Sequence, residues 1–386
     1  METVNPLHLS RRALLAASAG ALACGRQKAS GFRGYCFVAN SESKSIAAVD
    51  LNHFHLRKQI PLDGTPSAVL THNTRLKAYA LAPDNGTVYE IDSYSMSVSR
   101  RAKAGNQAAG MMFAKSGDAL WVLYRDPIVL VEIPLDSFRP TRRISLPDVG
   151  TAFDISRDNQ AAIICPQAGR IHLASLNTAA IEHTIQANSA PLLARYRSDG
   201  KNLLAGSSAD RSVTIFDVPT GKVVVRLPLP LEPQNFCFSA DEGQLFVSGN
   251  GVDAVVIIYP FSTEIDQTVL AGHAPGVMAV TPTLKPPHPP YLLVANPESD
   301  KVTVFDIDTR DLVAIVQVGR NPRHICMTPD DEYALVVNYD SGDLALIRTK
   351  SLISTDGSPR RFRSAPLFNL IPVGGKPVSA AVLAFT

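Results

Sequence analysis

The chain has 386 residues, of which 45% are hydrophobic and 19% are charged, and its net charge at pH 7 is +2. This composition is that of an ordinary soluble folded protein and excludes a disordered or fibrous chain. With so small a net charge and no long run of like charges, nothing favours binding to nucleic acid or to an anionic lipid surface.

The N-terminus is predicted to direct export. Residues 1–23 have the form of a signal peptide, in which Arg11 and Arg12 precede an apolar run that is too short to span a bilayer as a helix. The order Ser-Arg-Arg-x-Leu-Leu resembles a twin-arginine export signal, although general secretory export is equally open. Small residues before Cys24 fit both a signal-peptidase site and a bacterial lipobox. We favour lipidation of Cys24 with residues 24–34 as a tether, and therefore expect a lipoprotein of the periplasm or the cell surface.

Beyond the tether, one short apolar motif that favours a β-strand occurs eight times. Its central residues are Phe37, Tyr79, Trp121, Ile163, Leu204, Phe246, Leu293 and Leu335. Successive copies are 42, 42, 42, 41, 42, 47 and 42 residues apart, and the one long step contains the Pro-rich segment 283–290. Each copy has apolar stretches of period two between Gly, Pro and Asp turns, which predicts four strands per copy and no helix of useful length. Units of this size are typical of β-propeller blades.

The two ends of the chain predict how the ring closes. The first copy, at Phe37, is preceded only by the polar tether, whereas residues 375–385 have the pattern of a first strand with nothing after it. We therefore predict an all-β propeller over residues 35–386, with eight four-stranded blades, in which the N- and C-terminal strands pair within one blade. Seven blades are the alternative if the weak copy around Ala162 forms no separate blade.

The residue pattern of the repeat resembles that of a known family. Leu-Val-Ala-Asn at 293–296, followed after a polar stretch by Val-Thr-Val-Phe-Asp at 302–306, resembles the YVTN repeat family of bacterial and archaeal propellers. The resemblance covers essentially all of residues 35–386 and is weaker in the third and fourth copies, where the Asn and Asp are missing. It implies the propeller fold. Such propellers include surface-layer proteins, secreted binding proteins, lactonase-like enzymes and the haem-carrying propeller of nitrite reductases, so the resemblance implies no single activity.

Candidate ligand-binding residues lie in or just after the loops that lead from the last strand of one blade to the first strand of the next. In a propeller these loops open onto one mouth of the central channel. The candidates are His273, Arg320, Asn321, Arg323, His324 and Lys376. Cationic donors can bind a carboxylate or phosphate through charge-assisted hydrogen bonds, although such surface charges are often merely solvated. The sequence thus predicts a monomer that binds a protein or a small anionic ligand, with no nucleic acid and no membrane contact beyond the lipid anchor.

Motifs for catalysis or cofactor binding are missing. No nucleophile elbow, zinc-protease helix or phosphate-binding glycine loop is present, so we favour a non-enzymatic scaffold, predict no cofactor and leave catalytic residues unassigned. A lactonase-like enzyme using His273 or His324, and a haem-associated redox propeller, are the alternatives. His53 and His55 share one side of an extended segment, but no third ligand is evident and we predict no metal site.

Four cysteines besides the lipobox residue lie in apolar, strand-like runs. They are Cys36, Cys165, Cys237 and Cys326. No Cys-x-x-Cys spacing is present, so buried free thiols are predicted. Trp121 is predicted to pack between blades, and the segment 351–366, which contains three arginines, is expected to be a solvated loop or a partner contact.

Overall fold

The computed structural model describes residues 31–187, 190–282, 290–352 and 367–385, and the described residues from Phe32 onward belong to one compact unit. The export signal with Arg11 and Arg12, the lipidation site Cys24 and the segments 283–289 and 353–366 lie outside the described residues. Among the residues that are described, no helix is long and apolar enough to cross a membrane.

Strands and short 3-10 turns make up the regular structure of the described chain. In order the elements are β1 (Gly34–Asn40), β2 (Ser45–Asp50), β3 (His55–Pro61), β4 (Ala68–His72), β5 (Lys77–Ala82), β6 (Thr87–Asp92), β7 (Ser97–Lys103), β8 (Asn106–Phe113), β9 (Ala119–Asp126), β10 (Ile128–Pro134), β11 (Arg143–Ser145), β12 (Ala152–Ile155), β13 (Gln160–Cys165), a 3-10 turn (Pro166–Ala168), β14 (Arg170–Ser175), β15 (Ala180–Gln186), β16 (Leu193–Tyr196), β17 (Asn202–Ser207), β18 (Ser212–Asp217), β19 (Val223–Pro228), β20 (Glu232–Phe238), β21 (Leu245–Asn250), β22 (Ala254–Tyr259), β23 (Glu264–Leu270), β24 (Met278–Val280), β25 (Tyr291–Asn296), β26 (Lys301–Asp306), β27 (Leu312–Gln317), β28 (Pro322–Met327), β29 (Tyr333–Asn338), β30 (Asp343–Arg348), a second 3-10 turn (Thr349–Leu352), β31 (Asn369–Pro372) and β32 (Pro377–Ala384).

These strands form eight antiparallel sheets of four strands each, which are the blades of a propeller. Blades two to eight are β4–β7, β8–β11, β12–β15, β16–β19, β20–β23, β24–β27 and β28–β31, and the closing blade has the order β3-β2-β1-β32. The prediction of an eight-bladed all-β propeller is confirmed. The weak copy around Ala162 forms blade four in full, so the seven-blade alternative falls away.

The ring closes by pairing of the two chain ends, as predicted. Strand β32 pairs antiparallel with β1, from Gly34 opposite Ala384 to Asn40 opposite Pro377. Gly34, which the sequence analysis placed at the end of the tether, is already the first residue of β1. A side chain at this position would collide with the backbone carbonyl of Leu383, so the close approach of the two end strands requires glycine here.

The hydrophobic core is divided among the interfaces between neighbouring blades, which we call seams. All eight central residues of the repeat lie on the second strand of a blade and are at most 1% exposed. Trp121, for example, packs in the seam between blades three and four against Phe153 and Ile163, which confirms its predicted role. Because both faces of the second strand contact neighbouring blades, these strands are apolar throughout, whereas outer strands such as β3 alternate and are largely exposed.

Ion pairs in which the carboxylate is buried and the arginine is partly exposed link some blades at their outer strands. The carboxylate of Glu90 in blade two is buried and accepts a hydrogen bond of 2.9 Å from Nε of Arg100. The same guanidinium donates to the backbone carbonyl of Leu135 in blade three at 2.6 Å. Glu132 and Arg142 repeat this arrangement one blade further on. Burial acts to raise the pKa of Glu90, but the hydrogen bonds from Arg100 outweigh it and lower that pKa.

Candidate functional site

A cavity of about 640 Å³, here called the rim cavity, opens at the mouth where the inner strands of blade eight and the closing blade begin. It is lined by Pro297, Glu298, Asp300, Arg320, Asn321, Arg323, Asp340 and Lys376. Four of the six candidate residues, Arg320, Asn321, Arg323 and Lys376, therefore meet around one space. They meet because the loops before β28 and β32 occupy equivalent positions in consecutive blades.

Asp340 connects two other residues that line the rim cavity. Its carboxylate accepts a hydrogen bond of 2.8 Å from Nδ2 of Asn321 and one of 2.6 Å from Nζ of Lys376. The bond from Lys376 holds the pKa of Asp340 below its usual value and raises the pKa of the lysine. Asn321 adopts a positive φ of 58°, which points its backbone N–H at Oδ1 of Asp300, 2.8 Å away. Two carboxylates thus fix the loop that leads into blade eight.

The two arginines differ from the lysine, since among the described residues neither forms an ion pair with a carboxylate. The guanidinium of Arg323 lies 4.2 Å from the ring centre of Tyr339, and its Nε donates to Oδ1 of Asn321 at 3.2 Å. These contacts restrict the orientation of Arg323 and leave its terminal amino groups for a ligand. Within the described residues, the guanidinium of Arg320 makes one weak contact, of 3.4 Å to the backbone carbonyl of Asp340.

His273 lies beside the rim cavity instead of lining it. Its ring is exposed and sits between Asp253, 3.2 Å from Nδ1, and Glu298, 3.1 Å from Nε2. The hydrogen bond with Asp253 is the main reason why the pKa of His273 is raised. Glu298 also lines the rim cavity, so the imidazole offsets part of the charge on that side when it is protonated.

His324 belongs to a separate space, the channel cavity of about 270 Å³ inside the ring. The channel cavity is lined by Ala152, Phe153, Ile164, Leu193, Ala194, Arg195, Gln234, Asn235, Phe236, Val277, Met278, His324 and Ile325. Nε2 of His324 is 2.9 Å from the backbone carbonyl of Ala380 on the adjacent inner strand. Arg195, which lines the same cavity, lies 3.3 Å from the carboxylate of Asp154. Four of the six candidates therefore line the rim cavity, His273 lies beside it, and His324 lines the channel cavity.

The carboxylates of the site were not predicted, because no Asp or Glu was among the candidate residues. Glu298 and Asp300 lie in the turn after β25, and Asp340 lies in the turn after β29. These turns directly follow the Asn of the repeated motif and occupy the same place in neighbouring repeats. The repeat could therefore have predicted that their carboxylates lie close together. Tyr339 comes from the same turn.

His53 and His55 do not assemble a metal site with a third ligand. Their ring centres are 6.1 Å apart, and Nδ1 of His53 is 3.1 Å from a carboxylate oxygen of Asp50. Across the described ranges, no group of three His, Cys, Asp or Glu side chains is arranged to hold a metal ion.

All four cysteines of the described chain are free thiols, as predicted, but their burial differs from the prediction. Cys36 and Cys165 are buried, whereas Cys237 on β20 and Cys326 on β28 are only partly buried. Burial raises the pKa of both Cys165 and Cys237 to about 12.

Comparison with known proteins supports the propeller fold without fixing a family. No protein-family model matches the chain. The seven-bladed beta-propeller protein Rv1057 of Mycobacterium tuberculosis is 25% identical over 149 residues, which are 38% of this chain and only 37% of that protein. Among solved structures, dihydro-heme d1 dehydrogenase NirN in complex with DHE is similar with a TM-score of 0.72 and 14% identity, over 90% of this chain and 74% of that one. Hydrazine synthase of Kuenenia stuttgartiensis is similar with a TM-score of 0.58 and 18% identity, over 74% of this chain and 95% of that one.

Proposed function

We propose that this chain is a binding scaffold of YVTN-like repeats that is exported, anchored by a lipid at Cys24, and holds a small anionic ligand in the rim cavity. One observation carries the binding role. Arg320 and Arg323 line a cavity of about 640 Å³, and neither guanidinium is paired with a carboxylate among the described residues.

The surrounding charges narrow the chemistry of the ligand. Guanidinium groups bind carboxylate and phosphate through paired, charge-assisted hydrogen bonds. Lys376 contributes less, because Asp340 already accepts its hydrogen bond. Glu298 and Asp300 line the same cavity, so a purely anionic ligand would be repelled on that side. An anion that also carries hydroxyl or amino donors, such as a hydroxycarboxylic acid, fits this arrangement best.

Geometry favours binding over the two alternatives. A lactonase-like reaction at His273 would require a ring nitrogen that is open to the substrate, but Nδ1 lies 3.2 Å from Asp253 and Nε2 lies 3.1 Å from Glu298. A haem-associated role is supported by the likeness in fold to the dihydro-heme d1 dehydrogenase. The nitrogen of His324 that an axial ligand would use is, however, held by the carbonyl of Ala380.

The proposal is tested by the thermal stability of the full chain with citrate and inorganic phosphate as probes, because a ligand that binds only the native state raises its melting temperature. We expect a saturable rise for the wild type. In a variant with both Arg320→Gln and Arg323→Gln, the apparent affinity should fall by at least about tenfold, since each charge-assisted hydrogen bond contributes roughly 1.5–3 kcal/mol.

The control is Arg57→Gln, which makes the same Arg-to-Gln change once, at an exposed position on the outer strand β3. Both probes also stabilise proteins non-specifically by exclusion from the surface. That effect would be equal in all three proteins and would not saturate. If the arginine pair variant responds to the probes as the Arg57→Gln control does, the rim cavity is not the binding site. If haemin instead binds with a changed visible spectrum that His324→Ala abolishes, the haem-associated alternative replaces the proposal.

A further inference from the structure

Two cysteines occupy the same position of the repeat on different inner strands. Cys326 on β28 and Cys237 on β20 each lie four residues after a proline, and both are partly buried. They differ in the residue of the next blade that packs in the same cluster. In the seam between blades six and seven, Cys237 packs in the same cluster as Leu292. In the seam between blade eight and the closing blade, Cys326 packs in the cluster that contains Cys36, which holds the repeat position of that leucine.

Strand register gives the same placement independently. Strands β28 and β32 both begin at the rim cavity and therefore run in the same direction. His324 contacts the carbonyl of Ala380, so two residues further along, Cys326 lies beside Val382. Val382 is the residue directly paired with Cys36 on β1. His324 and Cys326, at positions i and i+2 of one strand, are on the same side of it, and Cys36 of the closing blade packs with Cys326.

The three groups differ in their tendency to lose a proton. Hydrogen bonding from Cys36, supported by His324, lowers the pKa of Cys326, while the same contact and burial raise the pKa of Cys36. Burial acts to lower the pKa of His324, but its interaction with Cys326 outweighs burial and raises it. Thiolate character is therefore concentrated on Cys326, and Cys36 keeps its proton. Cys237, which has no such neighbours, has a pKa raised by burial to about 12.

We propose that Cys326 and Cys36 form a two-cysteine redox site, in which hydrogen peroxide oxidises Cys326 and a disulfide then forms across the seam between blade eight and the closing blade. The thiolate of Cys326 attacks one peroxide oxygen, the O–O bond breaks, and the departing hydroxide takes a proton from the His324 imidazolium to become water. The sulfur of Cys36 then attacks the sulfenic acid, the S–O bond breaks, and a second water leaves with the thiol proton. One peroxide is reduced to two waters as two thiols become one disulfide.

The structure favours this order of events over random oxidation. Cys326 is partly exposed and lies two residues from His324, which lines the channel cavity, so a molecule as small as hydrogen peroxide can approach it. Cys36 is completely buried and is therefore not directly exposed to a peroxide in solution. Cys326 is thus the attacking thiol and Cys36 the resolving thiol. The resulting bond would join the two blades at which the ring closes.

The first test uses the unaltered full chain. Reduced protein is treated with one equivalent of hydrogen peroxide at neutral pH, free thiols are blocked by alkylation, and the protein is digested without reduction for mass spectrometry. We expect a cross-linked peptide pair that contains Cys36 and Cys326, has lost two hydrogen atoms and separates on addition of dithiothreitol. Cys237 and Cys165 should be recovered as alkylated thiols. Oxidation of Cys237 at the same rate as Cys326, or oxidation of Cys326 without a cross-link, would overturn the proposal.

Variants then assign the roles. Cys36→Ser should leave Cys326 as a sulfenic acid that dimedone traps, and the matched variant Cys237→Ser should cross-link like the wild type. His324→Asn places in blade eight the residue that blade six has at this position, Asn235, and it should slow the oxidation of Cys326 at pH 6 by about tenfold. If His324→Asn is oxidised as fast as the wild type, the histidine has no part in the site. If Cys36→Ser is not trapped by dimedone, the proposed order of attack is wrong.

Discussion

Shortening one side chain of the C-terminal strand, by Leu383→Ala, measures how much this strand contributes to closing the ring. Leu383 is fully buried and lies opposite Tyr35 in the pairing of β32 with β1. It packs with Phe37 and Val69 in the seam between the closing blade and blade two. Strands of two blades fix this seam on both sides, so the cavity left by the substitution cannot collapse fully. Comparable substitutions cost about 2–5 kcal/mol, and we expect a loss of about 3 kcal/mol in the free energy of unfolding.

The assay is urea unfolding of the full chain, followed by tryptophan fluorescence and by far-UV circular dichroism. Trp121 is the chain's single tryptophan and is buried in the seam between blades three and four, away from the substitution. A shift of its transition therefore reports destabilisation of the whole ring and not only local loosening. The control, Leu270→Ala, makes the same change at a residue that is 80% exposed, and should alter the free energy by no more than about 0.5 kcal/mol.

Equal effects of Leu383→Ala and Leu270→Ala would refute the reasoning, because a terminal strand that merely rests on the ring could be weakened without loss of global stability. A shift that appears in circular dichroism but not in the fluorescence of Trp121 would refute it as well, since the closing blade would then open independently of the others.

Two further substitutions test the ion pairs. Glu90→Gln removes the charge that Arg100 binds, and we expect the free energy of unfolding to fall by about 2 kcal/mol in urea experiments, less than for a fully buried pair because Arg100 is 36% exposed. Arg101→Gln, which removes an exposed pair with Asp63, should leave the free energy of unfolding nearly unchanged. If Glu90→Gln changes it equally little, the pair of Glu90 and Arg100 adds no stability. Burial acts to raise the pKa of Asp92, but hydrogen bonds, first of all from Lys77, outweigh it and hold that pKa at about 2. Since an unfolded Asp has a pKa of about 3.9, this stabilisation is complete above that pH and is lost as the pH falls from about 4 to about 2. Asp92→Asn should therefore flatten the acid side of the stability profile by on the order of 1–2 kcal/mol, and an unchanged profile would contradict this.

Part of the candidate site could be predicted because the repeat makes positions about 42 residues apart equivalent. Arg320 and Lys376 precede the inner strands of consecutive blades, so their meeting at the rim follows from the repeat alone. The carboxylate of Asp340, which takes up the charge of Lys376, was missed because it comes from a different turn of the repeat. Whether a cation is free or paired depends on side-chain geometry, and no pattern in the sequence expresses that.

The sequence by itself determined the four-stranded repeat and the pairing of the two ends, and it predicted eight blades with seven as the alternative. Period-two patterns and turn residues act over a few neighbouring positions, and eight copies repeat that information around the ring. Only the tertiary structure decided that His324 lies in the channel cavity and that Cys36 meets Cys326. These two cysteines lie near opposite ends of the chain. Their contact exists only once the ring has closed, because closure alone sets the first strand of the chain against the last complete blade.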